Sequence, residues 1–349
     1  METLWSIRRY KKEDKEQCFE LYKNVWGEQL AELSKRKWNW KFEDNPNNPE
    51  KDPFILVLEY KGKMVGLIAG LFTRVLIKGK IYHAPWLIDL MTHPKYRGRG
   101  YLLVKKAYEE NPFTLNFSTE LSYRIGSKMA GFDIHLFFNI LMKRPLNLKN
   151  VIAKFIKNKL IIKLSTIPLN MLFELIFSPK KSPDITITQI SSFDTRIDKF
   201  WMQMSKNFNA IVIRDKKYLN WRFVKCPDVK YTIFLAEKED DIAGYIVLRV
   251  CQNTGYIVDF LAKKEGFESL IWQAIRYFRQ QKTNSICCLE PKDTFYLKTF
   301  KKCGFFTRKG YPTYRFGSRS VLPDVPMEFL REPKNWFLTL GDSDIEMVM

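Results

Sequence analysis

The chain has 349 residues, of which 46% are hydrophobic and 15% aromatic, and this composition excludes a disordered or low-complexity protein. At roughly 150 residues per domain, this length favours about two domains. The formal net charge of +20 attracts phosphates, nucleic acid or anionic lipid head groups, without choosing among them.

Cysteine and histidine usage bears on compartment and metal binding. The six cysteines form no C-x-x-C pair, which favours a reducing, cytoplasmic location. The three histidines, His83, His93 and His135, have no metal-ligand spacing, so we expect no metal site. The first residues are charged and lack the apolar core of a signal peptide, so we expect no export.

An eight-residue motif occurs twice along the chain. Residues 39–46 have the sequence NWKFEDNP, and residues 220–227 have the sequence NWRFVKCP. Each copy is followed by two β-rich runs around a charged turn, from Phe54 and from Tyr231, which predicts a hairpin in each half. A strand with one internal aspartate comes next in each half, WLIDLM at residues 86–91 and YIVDFL at residues 256–261.

Each half then continues with a helix-like segment, residues 101–110 and residues 268–280, and later reaches a Gly-Phe pair. The common order is helices, hairpin, strand, helix, strand, helix and strand. This order predicts the α/β class, with a mixed α+β sheet and helices on its faces. We therefore predict two tandem copies of one fold, at residues 1–145 and 185–349, joined by residues 146–184.

The connector is basic and apolar, and we expect it to be helical. Lys154, Lys157 and Lys163 lie among isoleucines and leucines at roughly helical spacing. Two interpretations are open: a helix packed between the domains with its lysines in water, or an interfacial helix on an anionic membrane. Residues 161–177 are interrupted by Lys163, Pro168 and Glu174, so we expect them not to cross a bilayer.

The run THPKYRGRG, residues 92–100, joins the predicted strand to the predicted helix of the first half. Successive N–H groups at such a turn point towards one spot, and the helix start adds a partial positive charge. Gly98 and Gly100 allow close approach or positive φ, while Arg97 and Arg99 supply charged donors. The turn therefore predicts an anion site.

This run and the order of elements resemble the coenzyme A pyrophosphate loop of the GNAT acetyltransferase superfamily, with its pattern [Q/R]-x-x-G-x-[G/A]. Arg97 and Gly100 match the first two fixed positions, whereas Leu102 stands where a small residue is expected. The resemblance implies a coenzyme site in which a strand N–H polarises the thioester carbonyl. Its residues would be Leu90, Met91, Thr92, Arg97, Gly98, Arg99, Gly100, Tyr101 and Leu102.

The second half has AKKEGFES in the corresponding place. The carboxylates of Glu265 and Glu268 would repel a diphosphate there. We therefore predict one coenzyme site, in the first half, and a degenerate C-terminal copy.

The resemblance also implies catalytic roles. Asp89 is the candidate general base and Glu120 the second candidate, although Asp259, the twin of Asp89, leaves open a structural task for both aspartates. The family's acid is a tyrosine four residues before a Gly-Phe pair, where this chain has Ser127. Tyr123, one helical turn earlier, is the preferred candidate acid.

The resemblance thus implies a cytoplasmic tandem GNAT acyltransferase that uses acetyl-CoA as co-substrate and no metal. Its acceptor would be a small-molecule amine, such as an amino sugar of bacterial surface polysaccharide. Two alternatives are open: a Fem-type transferase that uses aminoacyl-tRNA, and a non-catalytic basic module with weak nucleic-acid or anionic-membrane contacts.

Overall fold

The computed structural model describes residues 4–49, 52–118, 135–307 and 313–348. Three candidate catalytic residues, Glu120, Tyr123 and Ser127, lie outside these ranges.

The first half combines long antiparallel strands with helices. Its helices are α1 (Lys15–Trp26), α2 (Glu28–Trp38) and α3 (Gly100–Glu110). Its strands are β1 (Trp5–Arg9), β2 (Phe54–Tyr60), β3 (Lys63–Ile77), β4 (Lys80–Thr92), β5 (Phe113–Ser118) and β6 (His135–Pro145).

The connector contains α4 (Lys149–Ile152) and α5 (Lys159–Phe177). The helices of the second half are α6 (Arg196–Met204), α7 (Lys216–Leu219), α8 (Lys264–Gln280), α9 (Thr294–Lys302) and α10 (Met327–Arg331). Its strands are β7 (Thr186–Ile190), β8 (Ala210–Val212), β9 (Thr232–Lys238), β10 (Asp241–Cys251), β11 (Thr254–Ala262), β12 (Ser285–Leu289), β13 (Phe306–Thr307), β14 (Thr313–Ser320) and β15 (Trp336–Phe337).

The predicted hairpins are confirmed in both halves, where β2 pairs antiparallel with β3 and β9 with β10. In the first half, Lys61 and Gly62 form a two-residue turn with φ of 50° and 73°. Positive φ at both positions is typical of the type I′ turn, whose twist matches that of the flanking strands. Lys78 and Gly79 make a similar turn between β3 and β4, with φ of 48° and 82°.

Alternation along β2 places one apolar cluster on each face of the first sheet. Ile55 and Val57 pack in the cluster that includes Cys18, Leu21 and Tyr22 of α1. The intervening side chains of β2 pack on the opposite face against α3. This cluster includes Phe54, Leu56 and Leu58 of β2 and Leu103 and Ala107 of α3. The sheet is therefore covered by α1 and α2 on one face and by α3 on the other.

The repeated motif has the same local structure in both halves and joins them. Asn39–Glu43 and Asn220–Val224 are each wound as one turn of π-helix. The Trp40 and Trp221 rings stack with centroids 4.9 Å apart and planes 16° apart. Each indole N–H donates to the main-chain oxygen of the other tryptophan, at 2.7 Å and 2.9 Å. The duplicated sequence thus forms a reciprocal, buried contact between the two halves, here called the joint.

The two halves also exchange strands. β14, from the end of the chain, lies between β5 and β6 of the first half. The far end of β6, in turn, pairs with β12 and β13 of the second half. Each sheet therefore contains a strand from the other half of the sequence, while the division at residues 145 and 185 stays a prediction.

The connector helix α5 is exposed along most of its length, with five outward residues between 64% and 83% exposed: Leu160, Leu164, Ile167, Met171 and Leu175. Of the two interpretations left open by the sequence, packing between the domains is therefore wrong for this apolar side, which faces solvent. Its ion pairs are with Arg144 at the end of β6 and Arg279 of α8. By length and composition alone, its 19 residues could cross a membrane. One such helix is weak evidence for a membrane-spanning segment.

Candidate active site

The basic loop follows directly from the end of β4. The His93 N–H donates to Val65 O of β3 at 2.7 Å, which ties the strand end to its neighbour. A short 3₁₀ turn, Pro94–Tyr96, and residues 97–99 then lead into α3, which begins at Gly100. Gly98 has φ of +88°, and a Cβ placed on it would meet no atom within 4 Å. The space beside the loop is therefore open.

Several main-chain donors of this loop have no protein acceptor. The Leu102 N–H donates to Arg99 O at 3.1 Å. The N–H groups of Gly98, Gly100 and Tyr101 find no acceptor within the ranges that the structure describes. Unpaired donors at the positive end of a helix are suited to bind an anion.

The side chains around the loop leave this position accessible. Arg97 is exposed and has no carboxylate partner among the described residues, while the Arg99 guanidinium lies 5.1 Å from the centre of the Trp5 ring. Leu102, which stands where a small residue was expected, packs against the apolar cluster of β2, β3 and α3. Its bulk therefore lies within an apolar contact.

Strands β4 and β5 diverge beside the loop. Their parallel pairing is recorded at a single position, Trp86 with Leu115, within the described residues. Beyond it, Met91 and Thr92 have described ladder partners only on the β3 side, and Leu90 has no described ladder partner. On β5, the next side chain, Asn116, has a buried Oδ1 with no hydrogen-bond partner. The predicted coenzyme residues of β4 thus line an opening between two strands.

Asp89 lies at an irregularity in β4. The pairing register shifts between Ile88 and Met91, and Asp89 has φ of +53°. Its Oδ2 accepts from the Tyr22 hydroxyl at 2.8 Å and from Lys41 Nζ at 2.9 Å. Its Oδ1 has no recorded partner within the described part of the chain, so one carboxylate oxygen is available to a ligand.

The two partners of Asp89 have shifted pKa values. Burial raises the pKa of Tyr22, and the nearby Asp89 raises it further, so this phenol stays protonated. Burial favours the neutral form of Lys41, but Asp344 and Asp89 outweigh it and raise the Lys41 pKa. Lys41 therefore remains charged and bridges Asp89 and Asp344, the latter at 2.7 Å.

A pocket of about 240 Å³ opens over this group. It lies between α1, α2, β4 and the C-terminal segment, and its lining includes Trp26, Leu30, Lys37, Asp344 and Met347. Burial lowers the pKa of Lys37. Apolar walls with a few convergent polar groups are typical of small-molecule sites.

Neighbouring residues of β4 connect the pocket with the loop. Asp89 lines the pocket, and Leu90 lies on the α3 side, where a Cβ on Gly100 would stand 3.5 Å from Leu90 Cδ1. The pocket and the basic loop therefore lie on either side of the irregular segment of β4.

The matched position in the second half is closed. Asp259 is buried and binds Arg214 at 3.1 Å, Tyr245 at 2.7 Å and Thr339 at 2.7 Å. Asp89 and Asp259 thus each accept from a tyrosine and a cation, but Asp89 also lines a pocket. A structural task is evident for Asp259.

The second half also lacks the basic loop. Helix α8 begins at Lys264, immediately after β11, four residues before the predicted start at Glu268. The Tyr296 hydroxyl donates to Ala262 O at 2.6 Å and accepts from Ala262 N–H at 3.3 Å, so the strand end is occupied. A Cβ on Gly266 would lie 2.8 Å from Ala243 O, so the helix start lies against β10.

The predicted site residues are partly brought together. Asp89 lies beside the opening that Leu90–Thr92 line, and the loop lies at the end of the same strand. Tyr22 and Lys41 were not predicted as site residues. The cation at the third position of each repeated motif, Lys41 and Arg222, was the available signal for Lys41. Among the described residues, no group of His, Cys, Asp or Glu is placed to hold a metal ion.

Comparison with protein families gives a match over the region that contains this site. Residues 6–110 match the model described as an acetyltransferase (GNAT) domain. No curated protein gives a significant sequence match.

Solved structures resemble the chain over most of its length. A probable N-acyltransferase of Enterococcus faecalis V583 aligns with a TM-score of 0.62 and 14% identity, covering 91% of this chain and 73% of that one. A GCN5-related N-acetyltransferase of Anabaena variabilis aligns with a TM-score of 0.63 and 11% identity, with the same coverage of 91% and 73%. The N-myristoyltransferase of Saccharomyces cerevisiae, solved with bound myristoyl-CoA, gives 0.54 and 14%, covering 93% and 87%.

At these identities the solved structures show the fold, and the family match identifies the domain that contains the loop and Asp89. Residues 6–110 therefore form a domain of the acetyltransferase (GNAT) type, and the chain as a whole has the fold of the aligned N-acyltransferases.

Proposed function

We propose that the protein transfers an acetyl group from acetyl-CoA to the amine of a small acceptor, such as an amino sugar, at the junction of β4 and α3. The observation that carries this proposal is that the unpaired loop donors follow the end of β4, the same strand whose Asp89 lines the pocket.

The residues present fit the coenzyme. The N–H groups of Gly98, Gly100 and Tyr101 would hold the pyrophosphate, with Arg97 as a charged donor beside them. The open edge of β4 at Leu90–Thr92 would receive the extended arm and place an N–H near the thioester carbonyl. The bound thioester would supply the acyl group.

The pocket around Asp89 suits a small amine. Asp89 Oδ1 would accept a hydrogen bond from the acceptor's nitrogen and take its proton as the nitrogen–carbon bond forms. Lys41 and Tyr22 hold the other oxygen and so fix the orientation of the carboxylate. The leaving thiolate needs a proton, for which Tyr123 and Ser127 remain the predicted sources, while Glu120 remains the second candidate base.

The walls of the pocket favour a ring-shaped polar acceptor. Trp26 is partly exposed and offers a flat apolar face, while Lys37 and Asp344 offer polar contacts. A volume of about 240 Å³ is sufficient for one sugar ring. These features support an amino sugar as acceptor.

The proposal is tested by thermal unfolding of two Gly100 variants with and without acetyl-CoA. A Cβ on Gly100 makes ordinary contacts of 3.5 Å and 3.6 Å with Leu90 and Thr92, so Gly100→Ala should keep the coenzyme-induced rise in Tm. Gly100→Glu places a carboxylate beside the unpaired donors and should abolish that rise while the protein stays folded. A full rise in Tm for Gly100→Glu would show that the coenzyme does not bind at this loop.

The open alternatives predict different ligands. An aminoacyl-tRNA transferase should retain tRNA in a salt-sensitive manner and leave acetyl-CoA unbound. A longer acyl donor, as in the yeast neighbour bound to myristoyl-CoA, is distinguished by comparing turnover of acetyl-CoA and myristoyl-CoA with one amine panel. We expect turnover with acetyl-CoA.

A further inference from the structure

The connector helix α5 presents an apolar side to solvent. Leu160, Leu164, Ile167, Met171 and Leu175, here called the outer stripe, follow one another at intervals of three or four residues. This spacing places them on one side of the helix. Each of the five is between 64% and 83% exposed.

The opposite side of α5 is held by the protein through aromatic and polar groups, among them the Phe177 ring, which lies 5.2 Å from the Phe306 ring. Glu174 accepts from the buried Arg144 guanidinium at 2.9 Å and also pairs with Arg279. Asn170 Oδ1 accepts from the Leu148 N–H at 2.9 Å. The helix is therefore held along one side, and it differs from an ordinary surface helix in that its outward side is apolar.

Charge around the outer stripe is of one sign. Seven lysines in and beside the connector are exposed and have no carboxylate partner in the described ranges: Lys149, Lys154, Lys157, Lys159, Lys163, Lys180 and Lys181. The acidic side chain on α5, Glu174, is already paired with two arginines. The surface that borders the outer stripe is thus positive.

This combination favours one kind of partner. A second copy of the chain would bring two sets of lysines together, which is unfavourable. An anionic bilayer offers an apolar layer for the leucines and negative head groups for the lysines. Phe155, which is 79% exposed, is a further apolar side chain in the segment before α5.

The contacts of α5 also decide how it would lie. A spanning helix is surrounded by lipid, which would separate Glu174 from Arg144 and leave a buried guanidinium without its carboxylate. A helix that keeps these contacts can insert one side. We propose that α5 docks the protein on the surface of anionic membranes, with the outer stripe in the interface and the neighbouring lysines at the head groups.

The test is flotation of the full chain with vesicles of phosphatidylcholine alone or mixed with phosphatidylglycerol. We expect at least about tenfold more binding to the anionic vesicles, with loss at high salt. The triple variant Leu164→Gln, Met171→Gln and Leu175→Gln should lose most of this binding and unfold at an unchanged or higher temperature, because it alters exposed side chains.

A matched control separates the outer stripe from general apolar exposure. Ile81, Met202 and Val321 are 52–61% exposed and lie outside the connector. The triple variant Ile81→Gln, Met202→Gln and Val321→Gln removes as many exposed apolar groups at the same net charge, and it should bind vesicles like the native chain.

Three results would overturn the proposal: no binding of the native chain to anionic vesicles, equal binding of the stripe variant, or equal loss in the control. A concentration-dependent dimer that the stripe substitutions abolish would also overturn it, because a second copy would then cover the helix. Coenzyme-induced changes in Tm are measured separately, so this proposal and the proposed function can fail independently.

Discussion

Asp89 and Asp259 occupy matched positions in the two halves, yet their surroundings differ. Asp259 is buried with Arg214, whereas Asp89 has one oxygen directed to no described partner and lines a pocket. The sequence identified the pair because both strands carry one internal aspartate. It could not separate their roles, because the cation of Asp89 comes from the repeated motif and that of Asp259 from a residue outside it.

Substitution of Asp89 by asparagine tests its role as the proton acceptor. Asparagine tolerates positive φ, so the backbone at this position is kept. We expect kcat to fall by about 10²–10⁴-fold with coenzyme affinity unchanged, because asparagine cannot take the amine proton. Steady-state kinetics and coenzyme titration measure the two quantities.

Asp259→Asn serves as the matched control. It should lower the free energy of unfolding by about 1–3 kcal/mol, since it removes a charged partner of Arg214, and should leave kcat nearly unchanged where the protein is folded. Equal losses of kcat in the two variants would assign both aspartates to structure.

At the scale of elements, the C-terminal segment after β15 joins the two halves through alternating carboxylates. Asp342 binds Arg214 at 2.7 Å, Asp344 binds Lys41 at 2.7 Å, and Glu346 binds Arg222 at 2.8 Å. Two of these cations, Lys41 and Arg222, are the matched cations of the repeated motif. The segment therefore closes the joint and contributes one wall of the pocket.

The pH dependence of stability tests this segment. Burial raises the pKa of Asp342 to about 6 from 3.8, with Arg214 opposing the shift. Because the folded chain holds this proton more tightly than the unfolded chain, Asp342 stabilises the fold below about pH 4, and this contribution is lost as the pH rises through about 6.

Asp342→Asn cannot ionise and should remove this dependence. We expect the Tm of the variant, relative to the native chain, to be higher at about pH 7.5 than at about pH 4.5. A Tm difference that is the same at both pH values would show that this carboxyl titrates normally in the fold.

Elements were predicted well where local sequence determines them. The hairpins, the strand with Asp89 and helix α3 follow from alternation and turn residues, and α3 begins one residue before its predicted start. The separation of β4 and β5 could not be predicted, because it depends on which strand occupies each edge. The sequence left open how α5 packs, because composition does not tell which side of a helix the protein covers.

At the scale of the whole molecule, the exchanged strands make the halves dependent on each other. The repeated motif indicated the duplication, but the pairing of β14 with β5 and of β6 with β12 connects segments far apart in sequence and has no local signal. The joint is further closed by the reciprocal tryptophan contact.

Separate expression of residues 1–184 and 185–349 tests this dependence. We expect neither fragment to unfold cooperatively alone, because the first lacks β14 and the second lacks β6. Mixing them during refolding should restore one transition, measured by calorimetry and near-ultraviolet circular dichroism. Two independently stable fragments would contradict the importance of the exchange and support the predicted division at residue 185.

The most direct test of the coenzyme site is the response of backbone amide resonances to saturating acetyl-CoA. We predict that the amides of Gly98, Gly100 and Tyr101 shift strongly, because their N–H groups gain phosphate acceptors. The amides of Lys264 and Gly266, at the start of α8, should remain unchanged. Unmoved resonances across residues 97–101 would contradict coenzyme binding at this loop and with it the proposed acetyl transfer.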